Sequence, residues 1–200
     1  MRSLYTLFLC AGLALLLAAS PAAAQQCGSG TITVSVSADP GFEGLYKYCV
    51  DSSWDLDQFG ISHLDVFLQL PDCPCICDPN FVKFATPAGS ASPPDDSCDH
   101  PFLGQYVCKG DPSLPEGVNG PAVKFTPDAV STCDVSLAGS GTFCFYSPMP
   151  PAPPSTHTNA IAIKHGQQTC YGDLVGSLPT CDCALPTQAT TWGNLKATYR

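Results

Sequence analysis

Residues 44–70, GLYKYCVDSSWDLDQFGISHLDVFLQL, alternate polar and apolar side chains, and no other stretch constrains the fold as much. Tyr46, Tyr48 and Val50 share one face, with Lys47, Cys49 and Asp51 on the other. Further on, Leu64, Val66, Leu68 and Leu70 form an apolar row, with His63, Asp65 and Gln69 opposite. Successive side chains of a strand point to opposite faces, so a period of two marks half-buried antiparallel strands. The expected unit is a pair of strands joined by a polar loop, its apolar face on the core and its polar face in water.

The same signal recurs at 31–37 (TITVSVS), 81–84, 105–108, 122–125, 133–137, 142–146, 160–164 and 171–175. Asp39-Pro40-Gly41 reads as a turn, and Ala138-Gly139-Ser140-Gly141 as a hairpin-like turn. Residues 85–120 read as loop apart from the short strand at 105–108. The proline-dense 147–158 reads as an extended crossing, because proline cannot donate to a sheet interior. Many short strands at loop spacing predict an all-β protein, a disulfide-stapled antiparallel β-sandwich with long Pro/Gly-rich loops. The end of the chain differs. Trp192, Leu195 and Tyr199 fall on one face of a short helix beyond a linker that begins at Pro186. Such a helix is marginal alone in water, so it reads as a tail that docks on a partner or serves in sorting.

The first 24 residues have the pattern of a secretory signal peptide: Arg2, an apolar run over 4–19, and Ala22-Ala23-Ala24 before the cut. The expected organisation is leader 1–24, cysteine-rich domain 25–185, and linker with amphipathic tail 186–200. Beyond the leader, no stretch is apolar enough to cross a bilayer as a helix. Twelve of the 13 cysteines remain there: Cys27, Cys49, Cys73, Cys75, Cys77, Cys98, Cys108, Cys133, Cys144, Cys170, Cys181 and Cys183. An even set in an exported chain predicts disulfides, each contributing roughly 2–4 kcal/mol. Cys73-x-Cys75-x-Cys77 and Cys181-x-Cys183 are spaced by one residue, tighter than structural zinc sites use, so bridges are expected and a thiolate metal site is not.

The formal charge of −9 comes with 15 Asp and 2 Glu, and no basic patch exists to neutralise phosphates. Nucleic acid and anionic membranes are therefore not expected partners. Asp51, Asp55 and Asp57 crowd around Trp54, and hard oxygen ligands of this kind suit Ca²⁺; no other cofactor is expected. Their spacing is not that of an EF-hand, and solvated loop aspartates are the simpler reading. Trp54 reads either as an exposed platform for a sugar or protein or as a buried aromatic. His63 and Asp65 share a strand face, where a metal-binding or acid–base pair competes with an ordinary polar face, the preferred reading. Ser62 points the other way, so the local geometry makes no Ser-His-Asp triad. G-x-S-x-G, H-E-x-x-H and phosphate-binding glycine loops are missing, and no catalytic residue is expected.

The segments YKYCVDSSWDLDQFGISHLDVFL, GTFCFYSP, AIAIKHG and TWGNLKATYR resemble uncharacterised exported bacterial β-sandwich proteins. In these a tyrosine-rich strand precedes a G-[LI]-S-H strand, and some chains end in W-G-x-x-K-x-x-Y-R. The matching residues are Tyr46, Tyr48, Trp54, Gly60, Ser62 and His63, then Trp192, Gly193, Leu195, Lys196, Tyr199 and Arg200. The resemblance implies an exported β-sandwich with a short recognition tail, and brings no catalytic residue. The functional expectation is a secreted or surface-displayed, non-catalytic structural or adhesion protein that meets a surface protein or glycan. A carbohydrate- or Ca²⁺-binding module is the alternative, and a secreted hydrolase on His63 and Asp65 comes last.

Overall fold

A computed structural model describes residues 25–70, 77–95, 97–115, 120–129 and 137–180. Among them are nine strands and no helix: β1 (Gln26–Val36), β2 (Tyr46–Asp55), β3 (Ile61–Phe67), β4 (Gly89–Ser92), β5 (His100–Val107), β6 (Ala122–Pro127), β7 (Ala138–Ser147), β8 (Ser155–His165) and β9 (Gln168–Gly176). The all-β expectation holds. The sandwich does not, because the strands close into one barrel in the order β1-β2-β7-β4-β5-β6-β3-β8-β9.

Closure is the work of β1, antiparallel to β2 on one side and parallel to β9 on the other. The alternating pattern begins only at Thr31, yet the strand reaches back to Gln26, and this extension supplies much of the β9 register: Gln26 opposite Tyr171, Ser29 opposite Asp173, Gly30 opposite Leu174. Glycine makes the seam possible, since a Cβ on Gly172 would lie 2.6 Å from the Gly28 carbonyl oxygen. The Cys27–Cys170 disulfide spans the same seam. A sandwich keeps exposed sheet edges; pairing the first strand with the last removes them.

The expected strand pair of 44–70 is also rearranged. Both strands form with the predicted faces, but β2 lies between β1 and β7, and β3 between β6 and β8. The connection crosses the barrel end, with Leu56 buried and its N–H donating to the Leu137 carbonyl at 2.8 Å. Partner choice was settled by side chains remote in sequence. Tyr48 stacks on Phe145 with ring centroids 5.0 Å apart, and Cys49 is bridged to its register partner Cys144.

Three local expectations change as well. Residues 138–141 begin β7 instead of turning, because Ser140 and Gly141 pair with β2 on one side and β4 on the other. The 81–84 segment reduces to a single Lys83–Tyr146 bridge. β4 arises inside the stretch read as loop. Residues 133–136, the tail with Trp192, Leu195 and Tyr199, and Cys73, Cys75, Cys181 and Cys183 lie outside the described residues. All seven cysteines within them are disulfide-bonded, among them the pairs Cys27–Cys170, Cys49–Cys144 and Cys77–Cys108. That agrees with folding in an oxidising compartment.

Side chains fill the barrel. Phe143 sits amid Phe102, Phe125 and Trp54, at centroid distances of 5.0, 5.2 and 6.4 Å. Full burial of each phenylalanine contributes about 1.5–3 kcal/mol. A smaller apolar cluster lies outside the barrel, where Leu114 joins Phe67, Ala122, Ala162 and Tyr171. The segment after β5 thus covers part of the outer face of β3, and this strand, unlike β2, is buried on both sides.

Candidate functional site: an open hydroxyl groove and a buried charged cluster

The outer face across β9, β1, β2, β7 and β4 carries side chains in register. One row reads Asp173, Ser29, Ser53, Ser140, Ser92. The next reads Val175, Thr31, Asp51, Thr142, Ser90. These ten residues line a groove of about 690 Å³, within the size range of small-ligand sites. The rows are pre-linked: the Thr142 hydroxyl donates to Asp51 Oδ1 at 2.6 Å, Ser92 donates to Asp99 at 2.5 Å, and the Ser29 and Ser53 hydroxyls lie 3.4 Å apart. The Cys49–Cys144 bridge sits one row further along and fixes the β2–β7 register. Strand spacing places such hydroxyls on a grid of roughly 4.8 by 6.7 Å, and each can donate or accept. The arrangement suits a neutral, hydroxyl-bearing ligand, whereas Asp51 and Asp173 repel anions.

The second place is the outer face of β3 beneath residues 108–115. A register shift between Ile61 and His63 turns His63, Asp65 and Phe67 outward from the barrel while Leu64 and Val66 stay inside. His63 is 7% exposed and Asp65 fully buried, so this face is not the solvated polar surface that the alternation implied. His63 Nε2 lies 3.3 Å from Asp65 Oδ2, 3.3 Å from Asp111 Oδ2 and 3.2 Å from the Ser113 hydroxyl. Lys124 reaches Asp111 Oδ2 at 2.5 Å, and the Ser113 N–H donates to Asp111 Oδ1 at 2.8 Å.

Burial, above all, pushes the Asp65 carboxyl up; Asp111 adds to this, and His63 and Lys124 oppose it. Desolvation also raises Asp111, but hydrogen bonds from Lys124 and Ser113 outweigh it and hold Asp111 down at about 2. Neither Asp65 oxygen has a hydrogen-bond partner. Asp65, Asp111 and Ser113 all converge on one imidazole nitrogen. In a nucleophile–histidine–carboxylate relay the acid and the hydroxyl contact opposite ring nitrogens, so these side chains do not form one.

Of the residues singled out from sequence, Asp51 lies in the groove and His63 and Asp65 in the cluster. Trp54, only 4% exposed, packs against Phe143 and is no surface platform. Asp55 is exposed at the end of β2, and Asp57 accepts a hydrogen bond from the Gln25 side chain at 3.0 Å. Asp51, Asp55 and Asp57 do not gather around one point: among the described residues, His63, Asp65 and Asp111 are the group whose ligand atoms all fall within 4.8 Å of one another. Sequence reasoning missed Asp111, Ser113 and Lys124, and the serines of β4 and β7. Asp111-Pro112-Ser113 carries a turn signal, but nothing local says which strand the turn covers.

No protein-family model matches the chain, and no curated protein sequence matches it. Among solved structures, the chain is similar to the yeast delta-COP-I mu-homology domain complexed with Dsl1 WxWxV peptide, at 14% identity and a TM-score of 0.31. The match covers 76% of this chain and 54% of that one, and a likeness at that TM-score carries no argument about fold or function.

Proposed function

We propose that this is an exported, non-catalytic binding protein of the adhesion type, which holds a neutral polyhydroxylated ligand, an oligosaccharide, in the groove across β1, β2, β7 and β4. The observation that carries this reading is the pair of in-register Ser/Thr/Asp rows within one concave surface. Short hydroxyl side chains lose little rotamer freedom on binding, and a disulfide-fixed sheet presents them already arranged. A sugar offers the matching mixture of donors and acceptors. Secretion or display at the cell surface agrees with the disulfides and with the leader pattern.

The test is binding of neutral oligosaccharides, by glycan array and then calorimetry, to the full chain and to Ser53→Tyr and Ser140→Tyr. Both changes fill the groove from outside and leave the barrel interior untouched. Binding by the parent that drops at least tenfold in the filled variants is the expected result. Absence of binding across neutral glycans, or equal binding by the filled variants, removes the proposal.

A further inference from the structure

The cluster beneath residues 108–115 brings two carboxylates, one imidazole and one ammonium together. Lys124 neutralises Asp111, leaving Asp65 fully buried with neither oxygen hydrogen-bonded. A buried carboxyl without a hydrogen-bond partner costs stability, so native structures protonate, pair or coordinate such a group, and here the neighbouring donor atoms point to coordination. The ligand atoms of His63, Asp65 and Asp111 all lie within 4.8 Å of one another, close enough to share one ion. Bonds of about 2.0–2.1 Å at tetrahedral angles place neighbouring ligand atoms roughly 3.3 Å apart. The three distances radiating from His63 Nε2 are 3.3 Å to Asp65, 3.3 Å to Asp111 and 3.2 Å to Ser113.

We propose that His63 Nε2, Asp65 Oδ2 and Asp111 Oδ2 bind one divalent transition-metal ion of the zinc type, which clamps residues 108–115 onto β3. The Ser113 hydroxyl, on the exposed side, or a water completes the shell. An imidazole nitrogen with two carboxylates suits zinc and its first-row neighbours, whereas Ca²⁺ takes six to eight oxygens at longer range. A dication balances both carboxylates and releases Lys124, whose side chain is 18% exposed and borders water. Lys124 therefore competes with the metal for Asp111 Oδ2. The clamp joins the covering segment to the wall close to the Cys77–Cys108 bridge, which fixes its other end. This site is separate from the groove and does not depend on what the groove binds.

The experiment uses the full oxidised chain, stripped with chelator, and Zn²⁺ alone as titrant. Calorimetry is expected to show one ion per chain with a rise in Tm, and Co²⁺ to give the visible absorption of a four-coordinate site. Asp65→Asn keeps the shape of the side chain and is expected to weaken Zn²⁺ at least tenfold and abolish the Tm response. Lys124→Met removes the competitor and is expected to tighten Zn²⁺ at least threefold. No Zn²⁺ response in the parent, or one that survives Asp65→Asn, overturns the proposal. Should Asp65→Asn not fold, Lys124→Met decides, and affinity no higher than the parent's overturns it.

Discussion

The outer faces of β2 and β3 come from the same alternating pattern and meet opposite fates. Along β2 the outward Asp51, Ser53 and Asp55 stand in water, and Asp51 is held by a threonine hydroxyl across the sheet. Along β3 the outward His63, Asp65 and Phe67 are buried beneath a segment that follows β5. A carboxylate in water is fully solvated. The same group under a covering loop must find a proton, a donor or a cation. One face is thus available to an external ligand, and the other is part of the protein's own construction. The period of a strand specifies which side chains share a face, and the rest of the chain decides whether that face is wet.

Several substitutions break or sharpen this contrast. The largest effect is expected inside the barrel, common to both walls: Phe143→Ala should lower unfolding free energy by about 3–5 kcal/mol in denaturant titrations, because it leaves a cavity among three other rings. A loss under 1 kcal/mol would mean that the interior is not packed as described. Replacing Cys27 and Cys170 together by serine should cost about 2–5 kcal/mol, and hydrogen exchange should rise first at the β1–β9 seam. Uniform exchange along the chain would argue against closure through that seam.

On the β3 wall, Asp65→Asn in the presence of chelator should raise stability by about 1–3 kcal/mol, since it replaces a carboxyl that burial disfavours by a neutral amide of the same shape. Thermal unfolding with and without chelator reads this directly, and destabilisation under chelator would show that the carboxyl is satisfied. Across the β2 wall the matching change, Thr142→Ala, frees an exposed aspartate and should move stability by no more than about 0.5 kcal/mol. The smallest effect concerns acid. The Lys47 ammonium and the Tyr146 hydroxyl donate to Asp39 at 2.7 and 2.6 Å, and these hydrogen bonds, Lys47's foremost, hold its carboxyl below the usual carboxylate range. A depressed carboxyl stabilises the fold above its unfolded value and loses that contribution as pH falls through its folded one. Asp39→Asn should therefore lower stability slightly at neutral pH, and the difference from the parent should close as pH falls below about 4; superimposable stability curves would show that the contact contributes nothing.

Much of the local structure could be read from the residues. The faces of Tyr48, Val50 and Trp54 against Lys47, Cys49 and Asp51 follow from alternation, as do those of Leu64 and Val66 against His63 and Asp65. β6, β8 and β9 lie where branched and aromatic residues cluster. Less legible were segments of small residues. Glycine and serine at 26–30, 89–92 and 138–141 give no strand signal, because neither has strong strand preference, yet all three segments are in the sheet. Their small size is what lets neighbouring backbones approach and leaves the hydroxyl groove open. Asp51 was visible as a candidate, but its row partners Thr31, Thr142 and Ser90 were not, since register depends on pairing between distant strands.

The sequence alone determined that this chain makes β-strands, that it carries a disulfide framework, and which side chains of each strand stand together. These properties follow from the two-residue period of an extended backbone and from cysteine chemistry, both local. Tertiary structure decided that the sheet closes as a barrel, that β2 and β3 lie on different walls, and that His63 and Asp65 meet Asp111, Ser113 and Lys124 under cover. Strand partners, closure and burial depend on contacts between residues tens of positions apart. Only the packed chain, where Tyr48 finds Phe145 and Cys27 finds Cys170, selects among the pairings that the pattern permits.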